Sequence, residues 1–128
     1  MKSFTKILLA LLLGVTLSHA VAFSKDAKFR TTTAHITAVK PLTTGANTLL
    51  LELKKNGKTI TDAKVTLKAF MPAMPGMPAM SSKVEAKNLG NGNYQATLNL
   101  AMSGTWQLHI YIIPKTEKKS RIKTTLNF

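Results

Sequence analysis

The chain has 128 residues, and its 18 Lys and Arg against 5 Asp and Glu give a formal net charge of +13. It contains no cysteine, which excludes disulfides, thiolate metal sites and a cysteine-linked lipid anchor. Such positive charge often indicates nucleic acid, but no aromatic residues alternate with the lysines to form a stacking platform. We interpret the charge as a solvated surface with lysines on strand edges, or as a weak attraction to an anionic membrane surface or to acidic partners.

The amino terminus has the layout of a secretory signal peptide. Lys2 and Lys6 precede an apolar stretch over residues 7–17, and the small residues Ser18, Ala20 and Ala22 form two possible cleavage sites. The alternative is an uncleaved anchor, but the apolar stretch is shorter than the roughly 20 residues of a membrane-spanning helix. We therefore predict a signal peptide over residues 1–22, cleaved after Ala20 or Ala22, and a periplasmic or secreted protein that does not meet nucleic acid.

Residues 23–128 are predicted to form one domain of β-strands. Apolar and polar residues alternate along the chain, and turn signals recur about every ten residues, with a strong hairpin signal at Asn56-Gly57. Trp106 falls on an inward position and supplies much of the core. The pattern predicts an all-β, immunoglobulin-like β-sandwich of about seven strands. The predicted strands cover residues 31–39, 48–54, 63–69, 83–89, 94–102, 106–112 and 122–128.

The segment 70–80 is rich in methionine and proline. The chain has six methionines, and this segment carries four of them at every third position, each of the first three followed by a proline. A thioether is a soft, neutral donor, and soft donors select Cu(I) over Zn(II) and over hard cations. Thioethers do not titrate, so such a site is expected to hold metal in mild acid. The predicted ligands, of which any three suffice, are Met71, Met74, Met77 and Met80.

Proline fixes φ and restricts the residue before it, so the segment is predicted to be extended and close to polyproline II. In a straight run of that kind, residues three apart are separated by about 9 Å, because the rise is about 3.1 Å per residue. One copper ion could not bridge them unless the chain turned, and Gly76 is the residue that permits a turn.

A structural interpretation of the same residues stays open. Met71 could cap the sandwich and Met80 could plug its end, or the loop could dock a protein partner, since methionine adapts to varied shapes. Met102 is in phase with core residues. Among the histidines, His35 is the first candidate for completing a mixed Met/His copper site, if it lies beneath the loop, and His109 is the second.

No catalytic site is predicted. The five acidic residues are scattered, neither histidine beyond the leader has an acidic residue in an obvious supporting place, and the serines lie in turns without a nucleophile-elbow pattern. Five acids are also too few for a convincing Ca²⁺ or Mg²⁺ site. We therefore expect a protein that is not an enzyme.

Several short motifs, in this order and spacing, resemble the YtkA-like domains, which are small exported β-sandwiches related to FixH-type accessory proteins. Nearly all of the chain after the leader takes part, and it looks most like the short secreted copper-resistance determinants of gut ε-proteobacteria. The resemblance implies an immunoglobulin-like fold and a role in periplasmic copper handling. The motifs are Gly45-x-Asn47, Asn56-Gly57-Lys58, Asp62-Ala63-x-Val65, Met71-Pro72-x-Met74-Pro75-x-Met77, Gly92-x-Tyr94 and Gly104-x-Trp106.

Two functions follow as expectations. The first is a periplasmic protein that sequesters or relays Cu(I) for copper resistance, with Ag(I) as an open second ion. The alternative is a module that binds no metal and uses the Met/Pro loop to dock a membrane efflux component or an oxidase under assembly.

Overall fold

The computed structural model describes residues 22–115 and 118–128, which form two antiparallel β-sheets packed face to face. The predicted β-sandwich is confirmed, with ten strands in place of about seven. The predicted signal peptide lies, apart from Ala22, outside the described residues. The strands are β1 (Phe23–Phe29), β2 (Thr32–Ala38), β3 (Gly45–Lys55), β4 (Lys58–Thr59), β5 (Ala63–Met71), β6 (Met80–Glu85), β7 (Lys87–Gly90), β8 (Asn93–Leu100), β9 (Thr105–Pro114) and β10 (Ser120–Asn127).

The larger sheet has the strand order β1-β2-β3-β8-β7, with β4 beside β3, and the smaller sheet has the order β10-β9-β5-β6. Alternate residues of the longer strands β2, β3, β5, β8 and β9 face the space between the sheets, as the sequence predicts. The fully buried large side chains include Leu49, Leu51 and Leu53 from β3 and Leu108 and Ile110 from β9. Burial of this apolar face holds the two sheets together.

Two aromatic residues at the centre of the core also hydrogen-bond. The Trp106 indole Nε1–H donates to the Met102 carbonyl at 2.9 Å, and the Tyr94 hydroxyl donates to the Ile60 carbonyl at 2.9 Å. Burial raises the pKa of Tyr94 above its ordinary value of 10.0. Among the described residues, no buried side-chain nitrogen or oxygen lacks a partner. Trp106 therefore has the structural role that its inward phase predicts.

The first strand was missed because its sequence lacks strong apolar alternation. Residues 23–29 pair with β2 along its whole length, from Phe23 opposite Ala38 to Phe29 opposite Thr32. The strand lies at the edge of the larger sheet, so it is only partly buried. Lys25 of this strand connects it to the smaller sheet. Its Nζ donates to the carbonyl and hydroxyl oxygens of Thr125 on β10 at 2.6 and 2.9 Å.

The two other additional strands, β4 and β7, arise at a hairpin and at a change of sheet. The Asn56-Gly57 hairpin is confirmed: both residues have positive φ, 54° and 76°, and the short β4 follows them. The single strand predicted over residues 83–89 is in fact two. The chain leaves the smaller sheet after β6, passes Ala86, and joins the larger sheet as β7.

No stretch of residues 22–115 or 118–128 forms an apolar helix of the length needed to cross a lipid bilayer.

Candidate metal-binding hairpin

Residues 70–80 form a hairpin that extends β5 and β6 beyond the end of the smaller sheet. At its base, Met71 and Met80 lie opposite each other as the last pair of the β5–β6 ladder. At its tip, Met74 and Met77 exchange two backbone hydrogen bonds, of 2.9 and 2.8 Å. The prediction of a straight polyproline-like run is therefore wrong.

The chain reverses at Gly76, the residue that the sequence identified as permitting a turn. Pro75 and Gly76 are the two central residues of the turn, and Gly76 has a φ of +79°. Proline followed by a residue with positive φ is the pattern of a type II turn, and glycine adopts that conformation at little cost. The repeated Met-Pro pattern predicted an extended run, but one glycine is enough to reverse a segment whose prolines would otherwise keep it extended.

The ladder is interrupted between the two methionine pairs. Pro72 and Pro78 have no backbone N–H to donate, and residues 72–73 and 78–79 lie outside the strands. A two-residue type II turn also twists against the natural twist of paired strands, so it tends to splay them. The tip is consequently held by its own pair of hydrogen bonds and by the two short connections to the base.

The hairpin brings two methionines close enough to share one ion, which a straight chain could not do. The Cα atoms of an antiparallel pair that exchanges both hydrogen bonds are about 5.5 Å apart, against about 9 Å for residues three apart in polyproline II. Directly opposed side chains also project from the same side of a ladder. Met74 and Met77 are flexible thioethers at that spacing, and two of them can reach one soft ion between them.

The four methionines differ in exposure, and this difference separates the packing residues at the base from the accessible residues at the tip. Met71 is 3% exposed and belongs to the core, with its Cε only 3.0 Å from where a Cβ on Gly104 would lie. Met80 is half-buried against the same core, and Met77 is half-buried at the tip. Met74 is 47% exposed. The structural role considered for Met71 and Met80 thus fits the base of the hairpin, whereas the tip offers the accessible thioethers.

The structure does not bring His35 to the hairpin. His35 lies on β2 in the larger sheet, directly opposite Asp26 on β1 and Glu52 on β3, whereas the hairpin extends the smaller sheet. Its Nδ1 hydrogen-bonds the Asp26 carboxylate. The expectation that neither histidine has a supporting acid is therefore wrong for His35, and it failed because Asp26 lies on the strand that was missed.

His109 lies on the outer face of the smaller sheet, nearer to the hairpin. Its ring contacts Phe70, the residue before Met71, in an edge-to-face arrangement with centroids 4.9 Å apart. Partial burial lowers the pKa of His109 below its ordinary value of 6.5, and the positive charges of Arg121, Lys123 and Lys68 lower it further.

The described residues contain no cluster of nitrogen or oxygen ligands that would form a different kind of metal site. They contain no group of three or more His, Asp or Glu side chains placed to hold an ion. Two carboxylates instead face lysines: Glu52 lies 3.4 Å from Lys54, and Asp62 lies 3.3 Å from Lys115. Glu117 lies outside the described residues. The absence of enzymatic activity stays a prediction.

Sequence reasoning missed how strongly the fold concentrates cations on one surface. The positive charge was interpreted as a solvated surface with lysines on strand edges, but several basic residues occupy outward positions of strands in the same smaller sheet. The signal was present in the strand alternation, because the outward phases of β5, β6 and β10 could have been compared. These outward residues are Lys64, Lys68, Lys83, Arg121 and Lys123.

The fold and the hairpin together define a small two-sheet β-sandwich with methionine-lined strand ends. The model of the YtkA-like family matches residues 26–111. The match covers more than half of the chain, so this protein belongs to the YtkA-like family, and the resemblance noted from its motifs is confirmed.

A solved structure shares the fold. The crystal structure of the PmoD soluble domain from Methylocystis sp. (strain Rockwell) superposes with a TM-score of 0.52 and 13% sequence identity. The alignment covers 79% of this chain and 94% of that domain. At this identity the likeness is one of fold. The comparison with proteins of curated function found no match.

Proposed function

We propose that this YtkA-like domain is an exported copper-binding protein that holds Cu(I) on the tip of its methionine hairpin. Met74 and Met77 are the two primary ligands, and of the two methionines at the base only Met80, which is half-buried, keeps accessible surface for a third. The protein sequesters the ion or relays it to a partner, and so supports copper resistance. Export rests on the predicted signal peptide, and Ag(I), another soft monovalent ion, is a second candidate.

The observation that carries the proposal is the hydrogen-bonded pair of Met74 and Met77. A turn that only joined two strands could use many residue types, but here the closing pair consists of two thioethers, and the next pair down is Met71 and Met80. No carboxylate occurs in residues 70–80, so the tip offers soft, uncharged donors to an ion that prefers them.

X-ray absorption on the Cu(I)-loaded protein tests this assignment directly. We expect two or three sulfur neighbours and at most one nitrogen, and we expect the same spectrum at neutral and mildly acid pH, because thioethers do not titrate. A first shell dominated by nitrogen and oxygen would contradict the methionine assignment.

A second function is favoured by the exposure of the tip. Met74 is a large apolar side chain that is 47% exposed, as a residue in a protein-docking loop would be. In that case the hairpin grips an efflux component or an oxidase under assembly without binding metal. Leucine substitution separates the two functions, since leucine keeps the apolar volume and removes the donor atom.

A further inference from the structure

A basic groove runs over the outer face of the smaller sheet. Its volume is about 820 Å³, and six cationic side chains line it. They come from β1, β5, β6, the β9–β10 connection and β10, so the fold assembles the groove from parts of the sequence that are far apart. These residues, which we call the groove cations, are Lys28, Lys64, Lys83, Lys119, Arg121 and Lys123.

The groove cations have no ion-pair partner in the part of the chain that the structure describes, although Glu85 lies on the same face of β6, opposite Thr66 of the groove. None of them forms an ion pair with a described carboxylate, and no Asp or Glu lines the groove. Like charges held this close repel one another. An anionic occupant relieves that repulsion.

The groove also has an apolar floor. Tyr111 and Ile113 are outward residues of β9 that lie between the cations of β5 and those of β10, and Phe29 of β1 also lines the groove. Tyr111 is half-buried there, and Phe29 is 43% exposed. An apolar floor within a cationic rim matches a ligand that carries both carboxylates and an apolar side chain.

The recessed shape of the groove favours an acidic peptide over an anionic membrane as its occupant. A planar bilayer touches the rim of a recess and leaves its floor uncovered, whereas an extended peptide can enter the recess and cover Tyr111 and Ile113. We therefore propose that this groove docks an acidic peptide segment of a partner protein, with carboxylates on the groove cations and an apolar side chain over Tyr111 and Ile113.

The proposal stands apart from copper binding, because it uses different residues and a different surface. The two sites nevertheless share strand β5, which carries Lys64 near its start and Met71 at its end. A partner docked in the groove thus lies along the same sheet that the methionine hairpin extends.

The test uses a fluorescein-labelled peptide of alternating Glu and Ser with one central Phe, and a second peptide with Ala in place of that Phe. Binding is measured by anisotropy at two salt concentrations. The groove variant is Lys64→Glu with Arg121→Glu and Lys123→Glu. The matched control is Lys40→Glu with Lys58→Glu and Lys87→Glu, which makes the same change in net charge at exposed positions outside the groove.

We expect the groove variant to weaken binding about tenfold or more, which corresponds to the loss of three exposed ion pairs of modest strength, and the control to weaken it about twofold. Tyr111→Thr should weaken binding of the Phe peptide and leave the Ala peptide unchanged, and Ile113→Thr provides a second variant of the same kind. Circular dichroism checks that each variant folds.

Three results would overturn the proposal. Equal losses in the groove and control variants would show that net charge alone attracts the peptide. Equal binding of the Phe and Ala peptides would show that the floor takes no part. Tighter binding to phosphatidylglycerol vesicles than to the peptide, lost in the groove variant but insensitive to Tyr111→Thr, would assign the face to a membrane surface.

Discussion

The backbone N–H of Met74 donates to the carbonyl of Met77 at 2.9 Å, and the N–H of Met77 donates back to the carbonyl of Met74 at 2.8 Å. This reciprocal pair fixes the backbones of the two methionines directly opposite each other. If the arrangement is preorganised for binding, loosening the turn should weaken the site even when every methionine remains.

Gly76→Ala tests this preorganisation. A Cβ at Gly76 meets no atom within 4 Å, so the only penalty is the positive φ, which costs an alanine about 1–2 kcal/mol. We expect Cu(I) affinity, measured by competition with a chromogenic chelator, to fall by about 5- to 30-fold. The matched control is Gly90→Ala, which has the same open space and a φ of +89° away from the hairpin, and which should leave affinity unchanged.

Leucine substitutions separate the ligands from the packing residues. Met74→Leu and Met77→Leu should each lower Cu(I) affinity strongly while the domain stays folded, because the donor atom is lost and the volume is kept. Met71→Leu should bind Cu(I) as the parent does, and Met102→Leu serves as a further control. If the combined variant of Met71, Met74, Met77 and Met80 still binds Cu(I) and protects cells, the hairpin is a docking or structural element.

Alanine substitutions are expected to show the opposite ranking in stability. Met71→Ala removes a buried side chain and should lower the free energy of unfolding by about 2–5 kcal/mol. Met74→Ala, at an exposed position, should change it by less than about 0.5 kcal/mol. Chemical denaturation monitored by Trp106 fluorescence measures both, and similar losses would show that the tip also packs against the domain.

The domain should fold cooperatively without metal. Its core is formed by strand residues, and the exposed tip contributes none of it, so removal of copper should leave a single unfolding transition with β-type circular dichroism. An unfolded or molten metal-free form would mean that the metal supplies part of the folding energy.

His109 should titrate below its ordinary value of 6.5, because partial burial and the charges of Arg121, Lys123 and Lys68 disfavour the imidazolium. A lowered pKa in the folded state means that His109 stabilises the domain fully above pH 6.5, and that this contribution is lost as the pH falls through the folded value. Lys123→Glu and high salt should both raise the pKa, as followed by NMR, whereas Lys40→Glu should not change it.

Much of the fold could be predicted because burial follows a period of two. The alternation of Thr31–Val39 and of Trp106–Ile112 identified the inward faces correctly, since each strand packs one face on the core and exposes the other. Phe23–Phe29 was missed because an edge strand buries little, so its sequence need not alternate. The change of sheet at Ala86 leaves no local signal, because it depends on which neighbours lie beside each half.

The candidate site was predicted in composition but not in shape. The methionine spacing identified the segment, and Gly76 identified the turn, but the division between a buried Met71 and an exposed Met74 depends on where β5 ends. His35 was a candidate on the condition that it lies beneath the loop, and the alternation of a strand does not say which sheet the strand joins. The groove cations were visible as five lysines and one arginine, yet their proximity depends on the order of strands in the smaller sheet and on β1 lying beside β10.

The prolines of the hairpin have a consequence for how copies of this protein meet. β6 is an edge strand, and an exposed apolar edge normally invites a second chain to add a strand to it. Beyond Met80 the edge continues into Pro78 and Pro75, which lack the N–H groups that strand addition requires. The hairpin can therefore keep an exposed methionine at its tip while its prolines oppose the addition of a strand from a second chain.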